Sequence, residues 1–520
     1  MKFPLFLSFT LFLLLFFSNC RPSEEVHLGT ISFTASGAPA AQTHFEKGLL
    51  LLHSFEYDDA REAFQAAIAA DTNMVMAYWG VAMSHNHGLW RQQAYEKGQA
   101  ILAKLAPQKE ARLAKAETPL EKDFLQAIEI MYGEGTKLER DQAYAKYMEG
   151  LVKKYPDNHE VRAFYALSLL GAVPVGRDDE AYEKGARIAQ GILNENPQHP
   201  GALHYLIHSY DDPYHANLAL QAANNYAKVA PDASHALHMP SHIYVAMGMW
   251  DEVISSNIAS FQASLNRMEK KELDNDAQSY HALAWLLYGY LQKEQFEKAD
   301  EIMADMEAYT QVLPSTRARS YLVEMKANYL VETGNWEHEF ADIPVKVEDL
   351  NITDQATAQF IKGMKAYLQK DTASLRQAIL TIAQSRQENS LLVSETGVPL
   401  CSAVSANQKA PNQLDLDQAN IMEMELRALY YWHTGQTEAA EEWLRRATAL
   451  EEEASYVFGP PVIAKPSFEL YGDWLLAHNR PADALLQFEK ALERGPNRTY
   501  ALKGKRLAQE QLKNNRLSLR

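Results

Sequence analysis

One spacing of small and aromatic residues recurs near the two ends of this chain of 520 residues. The first copy consists of Gly48, Ala60, Phe64 and Ala67. The second copy, with the same intervals, consists of Gly472, Ala484, Phe488 and Ala491. Small residues recur where two helices approach closely, and the aromatic ring fills the space between successive helix pairs. The recurrence therefore predicts an array of stacked helical hairpins that bury one another's apolar faces.

The spacing resembles that of the tetratricopeptide repeat, a helix–turn–helix unit of about 34 residues. Pro496 follows the second copy and closes a unit, because proline cannot continue a helix. The two terminal units then span residues 41–74 and 465–498. Weaker copies place further units at 200–233, 234–267, 280–313 and 421–454. We therefore predict an all-α solenoid of tetratricopeptide-like helix–turn–helix repeats, with roughly ten helix pairs.

Two irregular segments interrupt the predicted repeats. The solenoid occupies residues 39–387, and further repeats with a capping helix occupy residues 419–520. Between them, residues 388–418 have no helical period and are predicted to form an irregular loop. Residues 453–466 are rich in proline and apolar side chains, which predicts an extended segment. This segment either packs into the inner surface of the solenoid or serves only as a rigid connector.

The N-terminus has the proportions of an export signal. Residues 3–17 form an apolar run that is too short for a comfortable membrane helix of about 20 residues. Cys20 stands where the signal of a bacterial lipoprotein is cleaved. We expect residues 1–19 to be removed as a signal peptide, Cys20 to carry lipid, and residues 20–38 to form a flexible tether. The expected location is the bacterial cell envelope, facing the periplasm or the cell surface.

The composition and net charge restrict the classes of partner that this chain can bind. Its 50 Lys and Arg residues against 67 Asp and Glu residues give a net charge of −17, which repels the phosphates of nucleic acids. The acidity suits cationic partners, metal ions included. The sequence has no phosphate-binding loop, nucleotide fingerprint or Ser–His–Asp order, so we assign no catalytic residues. We expect a protein, peptide or small-molecule partner, and membrane contact only through the lipid anchor.

Histidines concentrate in three successive predicted units, which hold six of the 17 in the chain at equivalent positions. The resemblance implies that the first helix of each unit lines a concave surface, and the helical period independently places these side chains on one face. The six residues are His204, His208, His235, His238, His242 and His281. Asp211 and Asp212 extend the same face. The unit boundaries follow from alanine and proline positions, so the alignment of the histidines is an independent observation.

Two pairs, His204 with His208 and His238 with His242, are spaced i, i+4, which puts both imidazoles of a pair on one side of a helix. Two such pairs on neighbouring helices can converge on a borderline metal ion such as Zn²⁺ or Cu²⁺. A nearby aspartate can bind the ion or orient an imidazole. Pro240 is expected to kink the helix that carries the second pair.

The same pattern allows two other interpretations. The histidines can line a polar groove for a peptide or small ligand, or they can be buried side chains satisfied by hydrogen bonds. Our first hypothesis is a lipid-anchored scaffold that binds a partner in its concave groove, and the second is a metal-binding or metal-dependent protein. Secondary candidates for the groove are His53, His85, His87, Glu425, Glu469 and Asp473. The three acidic candidates favour a groove that binds a basic partner.

Overall fold

A computed structural model describes residues 27–394, 396–399 and 410–518. In these ranges, successive helices pack in pairs along the chain, and the predicted all-α solenoid is confirmed. The helices are α1 (Pro39–His53), α2 (Tyr57–Ala70), α3 (Val75–Met83), α4 (Tyr95–Leu105), α5 (Lys109–Leu113), α6 (Pro119–Met131), α7 (Lys137–Lys154), α8 (His159–Gly171), α9 (Asp179–Glu195), α10 (Pro200–Ser209), α11 (Ala216–Val229), α12 (Ser234–His238), α13 (Pro240–Met247), α14 (Trp250–Lys270), α15 (Tyr280–Gln292), α16 (Phe296–Val312), α17 (Thr316–Thr333), α18 (Ile352–Leu368), α19 (Thr372–Ser390), α20 (Gln413–His433), α21 (Thr437–Glu453), α22 (Ser467–Ala477), α23 (Pro481–Arg494) and α24 (Thr499–Ser518).

The pairing of helices departs from a uniform array at three places. Two short antiparallel strands, β1 (Asn86–His87) and β2 (Gln92–Gln93), join α3 to α4, although we predicted no strand. A 3₁₀ turn at Glu339–Asp342 follows α17 in place of a second long helix. The predicted irregular loop is shorter than 388–418, because α19 continues to Ser390 and α20 begins at Gln413.

The recurring small residues do what their spacing predicts. A Cβ atom at Gly48 of α1 would lie 2.7 Å from the ring of Phe64, and one at Gly80 of α3 would lie 2.5 Å from it. Phe64 is fully buried and therefore fills the space between the first two helix pairs. At the other end, Gly472 approaches the ring of Phe488 in the same way, at 2.6 Å. Glycine is required at these positions because any side chain would push the helices apart.

Both ends of the solenoid contact its middle. Near the N-terminus, α1 packs against α10. The guanidinium of Arg267 on α14 lies 2.5 Å from the carboxylate of Asp59 on α2. Near the C-terminus, Trp250 Nε1 donates to the carbonyl of Asn497 at 3.0 Å. The central helices that carry the six histidines are therefore enclosed by repeats that are far away in sequence.

Residues 27–38 pack along the solenoid, whereas we predicted a flexible tether over residues 20–38. The backbone N–H of Ser36 donates to Glu121 Oε1 at 2.6 Å, and its hydroxyl donates to Oε2 at 3.1 Å. Phe33 is only 7% exposed. The prediction was wrong for this part of the segment because it weighed the small polar residues and overlooked the apolar ones between them, which bury one edge of an extended chain.

Replacing Phe33 by alanine is expected to lower the free energy of unfolding by about 3 kcal/mol, as measured by urea denaturation. The ring centroid of Phe33 lies 5.8 Å from that of Phe45 and 5.6 Å from that of Phe124, so truncation leaves a cavity between two helices. Leu380→Ala is the control, since Leu380 is 49% exposed and its loss should change stability by about 0.5 kcal/mol or less. Equal losses of stability for Phe33→Ala and Leu380→Ala would mean that residues 27–38 do not pack against the helices.

The predicted signal peptide at residues 1–19 and the lipidation site Cys20 lie outside the described residues, so the lipid anchor stays a prediction. Among the residues that the structure does describe, none of the helices combines the length and the apolar character needed to cross a membrane.

Candidate metal centre

The six predicted histidines meet on three successive repeats. Neighbouring rings have centroids 4.5 to 6.3 Å apart. They form two groups of three, and within each group the candidate ligand nitrogens lie within 4.8 Å of one another. The first triad is His204 and His208 of α10 with His235 of α12. The second triad is His238 of α12, His242 of α13 and His281 of α15.

Pro240 shapes the second triad. The helix that carries it is broken, so that α12 ends at His238 and α13 begins at Pro240. Proline offers no N–H to the helix. His242 N bonds to the carbonyl of Met239 at 3.1 Å, three residues back, which is a tighter turn than in an α-helix. The regular helix is therefore interrupted at Met239, although the backbone of Met239 keeps right-handed helical angles.

Asp211 fixes the orientation of one histidine from each triad. Its Oδ2 atom accepts from His208 Nδ1 at 3.3 Å and from His242 Nδ1 at 3.1 Å. A neutral imidazole carries one N–H, so the Nε2 atom of each ring is left with a free lone pair. Asp212 points elsewhere, because its carboxylate holds His215 and Arg177. Asp211 therefore orients the cluster, and Asp212 organises the turn after α10.

Asn257 of α14 fixes the tautomer of His238. The amide nitrogen of Asn257 donates to the carbonyl of Val253 at 2.8 Å, which leaves Oδ1 to accept from His238 Nδ1 at 2.7 Å. His238 Nε2 consequently carries a lone pair. It lies 3.2 Å from Nε2 of His242, which also carries one. The two Nε2 lone pairs therefore face each other at this distance.

The first triad is oriented in a similar way. His204 Nδ1 donates to the backbone carbonyl of His53 at 2.7 Å, so Nε2 is again the free acceptor. That atom lies 3.2 Å from His235 Nε2. His208 Nε2 is buried and has no hydrogen-bond partner among the described residues. His204 and His208 therefore each present Nε2 as an acceptor, and no hydrogen bond among the described residues fixes which nitrogen of His235 carries the proton.

Four of the six histidines are closed to bulk water. His204, His208, His238 and His242 are between 0 and 6% exposed, whereas His235 and His281 are half-buried. Burial lowers the pKa of His238 to about 4. Burial and the neighbouring imidazoles also lower the pKa of His242 well below its usual value. The two facing rings are therefore neutral at pH 7, and a proton does not bridge them.

The sequence of one repeat unit matches a known family. Residues 424–453 match the profile of the tetratricopeptide repeat, inside the unit expected at 421–454. Residues 424–453 of this chain are a tetratricopeptide repeat. No curated protein matches the chain at a significant level.

Solved structures with a similar arrangement of helices include three proteins of low sequence identity. The Cut9–Hcn1 hetero-tetramer of the APC/C is 13% identical to this chain. The match covers 92% of this chain and 78% of that chain, with a TM-score of 0.37. Yeast Tom70 is 11% identical, and the match covers 92% of this chain and 96% of that chain with a TM-score of 0.33. Human IFIT1 with m7Gppp-AAAA is 15% identical, and the match covers 85% of this chain and 94% of that chain with a TM-score of 0.33. At these identities and TM-scores, the likeness does not extend to function.

Aromatic side chains from distant parts of the tetratricopeptide solenoid cover the cluster. The ring centroid of Phe55, after α1, lies 4.2 Å from that of His204 and 5.6 Å from that of His235. On the other side, Trp285 lies 4.8 Å from His238. We predicted an open concave groove lined by the histidines. The structure instead places them behind these rings, because repeats that are remote in sequence fold back over them.

The proline-rich segment is part of this cover. In residues 454–466, the ring centroid of Phe458 lies 5.0 Å from that of His242 and 6.1 Å from that of His208. Gly459 has a φ of +96°, and a Cβ atom there would lie 2.4 Å from Trp285. Of the two interpretations of this segment, packing into the inner surface is the one that the structure supports.

His53 belongs to a separate buried cluster. His53 Nε2 lies 2.6 Å from Glu160 Oε2, and His199 Nε2 lies 3.2 Å from Oε1 of the same carboxylate. The remaining ring nitrogens are also engaged, by the hydroxyl of Tyr205 at 2.9 Å and by the backbone N–H of Ala202 at 3.1 Å. With every nitrogen satisfied, this cluster ties α1, α8 and α10 together and leaves no lone pair for a metal.

The other secondary candidates do not line a common groove. His85 and His87 lie at the short strands rather than on a helix, and the ring of His87 stacks on Tyr57 at 3.9 Å. Burial lowers the pKa of both histidines to about 4. The ring of His87 also packs against Trp90, and both histidines lie outside the two triads.

The predicted acidic groove is not exposed. Glu425 is fully buried, accepts from the Ser467 hydroxyl at 2.7 Å, and has its pKa raised well above the usual value by burial. Glu469 is buried against Arg498, and Asp473 is paired with a lysine. These carboxylates hold the last repeats together. The prediction was wrong because helical position alone does not distinguish a groove from an interface with a neighbouring repeat.

A cavity of about 410 Å³ opens beside His281 of the second triad. Its lining includes Tyr321, Glu324 and Asp354, together with Phe458 of the covering segment. Burial raises the pKa of Glu324 to about 7 and that of Asp354 to about 6. The cavity reaches His281, and its lining also includes the cationic side chain of Arg317.

Sequence reasoning missed two residues that define the site. Asn257 sets the tautomer of His238, and Phe55 covers the first triad. Asn257 stands on the buried stripe of α14 between Val253 and Ser260, and a polar residue on a buried face needs a partner. That signal was present in the sequence. The position of Phe55 over His204 depends on contacts between distant repeats, for which the sequence carries no comparable signal.

Proposed function

We propose that this chain is a metal-binding protein in which the tetratricopeptide solenoid is the scaffold for a buried imidazole site. The second triad binds an ion that prefers nitrogen ligands and accepts a low coordination number. Zn²⁺ and Cu²⁺ have these properties. Sites of this kind combine neutral imidazoles with a surrounding set of hydrogen bonds that fixes each ring. Asp211 and Asn257 supply those bonds here.

The facing nitrogens of His238 and His242 carry the proposal. Two nitrogens bound to one tetrahedral zinc ion at about 2.0–2.1 Å are about 3.3 Å apart. The observed separation is 3.2 Å. Both Nδ1 atoms are committed as donors to oxygen acceptors, so neither Nε2 atom has a proton to offer the other. An ion between them converts a repulsive contact into two coordinate bonds.

The alternatives account for less of the geometry. A structural role requires each buried nitrogen to have a partner, and His208 Nε2 has none among the residues that the structure describes. A peptide groove requires accessible side chains, and four of the six histidines are almost fully buried. Binding of a partner by the scaffold remains a proposal for the outer surface and for the acidic cavity beside His281, where a small basic ligand would fit.

Elemental analysis of protein purified without a histidine tag tests the proposal. We expect at least one zinc or copper ion per chain, retained through gel filtration and removed by prolonged chelation at low pH. The chelated protein should take up the ion again after return to neutral pH. A chain that contains no transition metal after purification and binds neither Zn²⁺ nor Cu²⁺ in equilibrium dialysis would contradict it.

A further inference from the structure

We propose that the two triads form one centre for two metal ions, with three imidazoles for each ion. This inference rests on the proposed metal-binding function and extends it from the second triad to the first. In each triad the candidate ligand nitrogens lie within 4.8 Å of one another. The ligand class is a first-row transition ion that favours imidazole, with copper preferred and zinc next.

The first triad carries observations of its own. His208 Nε2 is buried without a partner among the described atoms, which is costly unless something binds it. His204 offers a lone pair from Nε2, because its Nδ1 atom donates to the carbonyl of His53. His235 Nε2 lies 3.2 Å from that lone pair, a separation that again fits two nitrogens on one ion. None of these contacts involves a residue of the second triad.

Asp211 joins the triads into one centre. Its Oδ2 atom accepts from His208 of the first triad and from His242 of the second, and the two ring centroids are 5.2 Å apart. Arg177 lies beside the same carboxylate group, with Nη1 3.8 Å from Asp211 Oδ1. A single carboxylate therefore sets the direction of one ligand for each ion and fixes the two sites side by side.

Three neutral ligands leave each ion with positions for a further ligand. Two adjacent ions with open positions can share a small bridging molecule, such as water or hydroxide, as two-metal sites do. The cavity beside His281 reaches the second triad and gives such a molecule access. The pair of triads thus has the composition of a reactive centre, whereas a purely structural zinc site closes its coordination with four protein ligands.

Metal stoichiometry in matched variants tests the inference. Chelated full-length protein is dialysed against Cu²⁺, and bound copper is counted for the wild type, for His208→Gln/His235→Gln and for His242→Gln/His281→Gln. We expect two ions in the wild type and one in each variant. His44→Gln, an exposed histidine outside both triads, should keep two. Circular dichroism of the chelated proteins establishes that each variant is folded.

The possible outcomes separate this inference from the proposed function. One ion in the wild type and none in either variant would mean a single shared site, which overturns the two-metal centre and leaves metal binding intact. No ion in any protein, after dialysis against Cu²⁺ and, in parallel, against Zn²⁺, would overturn both. If a variant fails to fold, electron paramagnetic resonance of the wild type with Cu²⁺ decides. A half-field signal from two coupled Cu²⁺ ions, or the loss of the signal of two bound Cu²⁺ ions through strong coupling, supports the centre, and the spectrum of isolated ions contradicts it.

Discussion

Replacing His238 and His242 together by glutamine is expected to abolish the stabilisation of the protein by metal. A ligand that binds only the folded state raises the free energy of unfolding by about 4 kcal/mol when it is present at about a thousand times its Kd. The wild type should therefore melt at a clearly higher temperature with Zn²⁺ or Cu²⁺ than with a chelator. The variant should melt at the same temperature in both.

Comparing the melting temperature of each protein with metal and with chelator separates metal binding from the direct effect of the substitutions on stability. Both histidines are buried, so glutamine changes the stability of the chelated protein as well, and only the difference between metal and chelator reports binding. His44→Gln is the matched control, since it removes an exposed imidazole that is far from the triads in the sequence. It should keep the full metal effect. A metal effect of the same size in the double variant would show that the ion binds elsewhere.

Replacing Arg498 by methionine is expected to lower the free energy of unfolding by about 3–5 kcal/mol, as measured by urea denaturation. The guanidinium is 2% exposed and lies 2.5 Å from carboxylate oxygens of both Glu469 and Glu332. Its Nη1 atom also donates to the hydroxyl of Tyr288 at 2.6 Å. Methionine keeps much of the volume and leaves two buried carboxylates without a counter-charge.

Two further variants distinguish the loss of charge from a loss of packing. Adding Glu469→Gln and Glu332→Gln to Arg498→Met removes the uncompensated carboxylates and should restore much of the stability. Arg446→Met is the surface control, because its pair with Glu442 is more than half exposed and should contribute about 0.5 kcal/mol. If Arg498→Met costs no more than Arg446→Met, the last repeat is not anchored through this residue.

The repeat architecture follows from local spacing, which is why it can be predicted. Gly48 and Phe64 belong to one hairpin, and their contact depends only on the distance between them in the sequence. The closure of the solenoid depends on remote contacts instead. Arg498 reaches Tyr288 and Glu332 across many repeats, and no period in the sequence predicts which repeats meet. This is also why residues such as Glu469 were assigned to a groove and are buried in an interface.

The candidate site likewise combines features that follow from local spacing with features that depend on remote contacts. The convergence of the six histidines follows from helical period and from the equal positions of adjacent units. Their chemistry depends on hydrogen bonds that the period does not specify. Asn257 on the second helix of a pair sets one tautomer, and the backbone carbonyl of His53 sets another. Burial by Phe55 and Phe458 turns an expected open surface into an enclosed site.

Anomalous X-ray diffraction at the absorption edge of the bound metal tests the central claim most directly. Crystals of the untagged protein, measured above and below the edge, locate the ion without assuming its ligands. We predict a peak between Nε2 of His238 and Nε2 of His242, about 2.0–2.1 Å from each nitrogen. Two directly hydrogen-bonded or water-bridged imidazoles, with no anomalous peak at either triad in crystals grown with Zn²⁺ or Cu²⁺, would contradict the account.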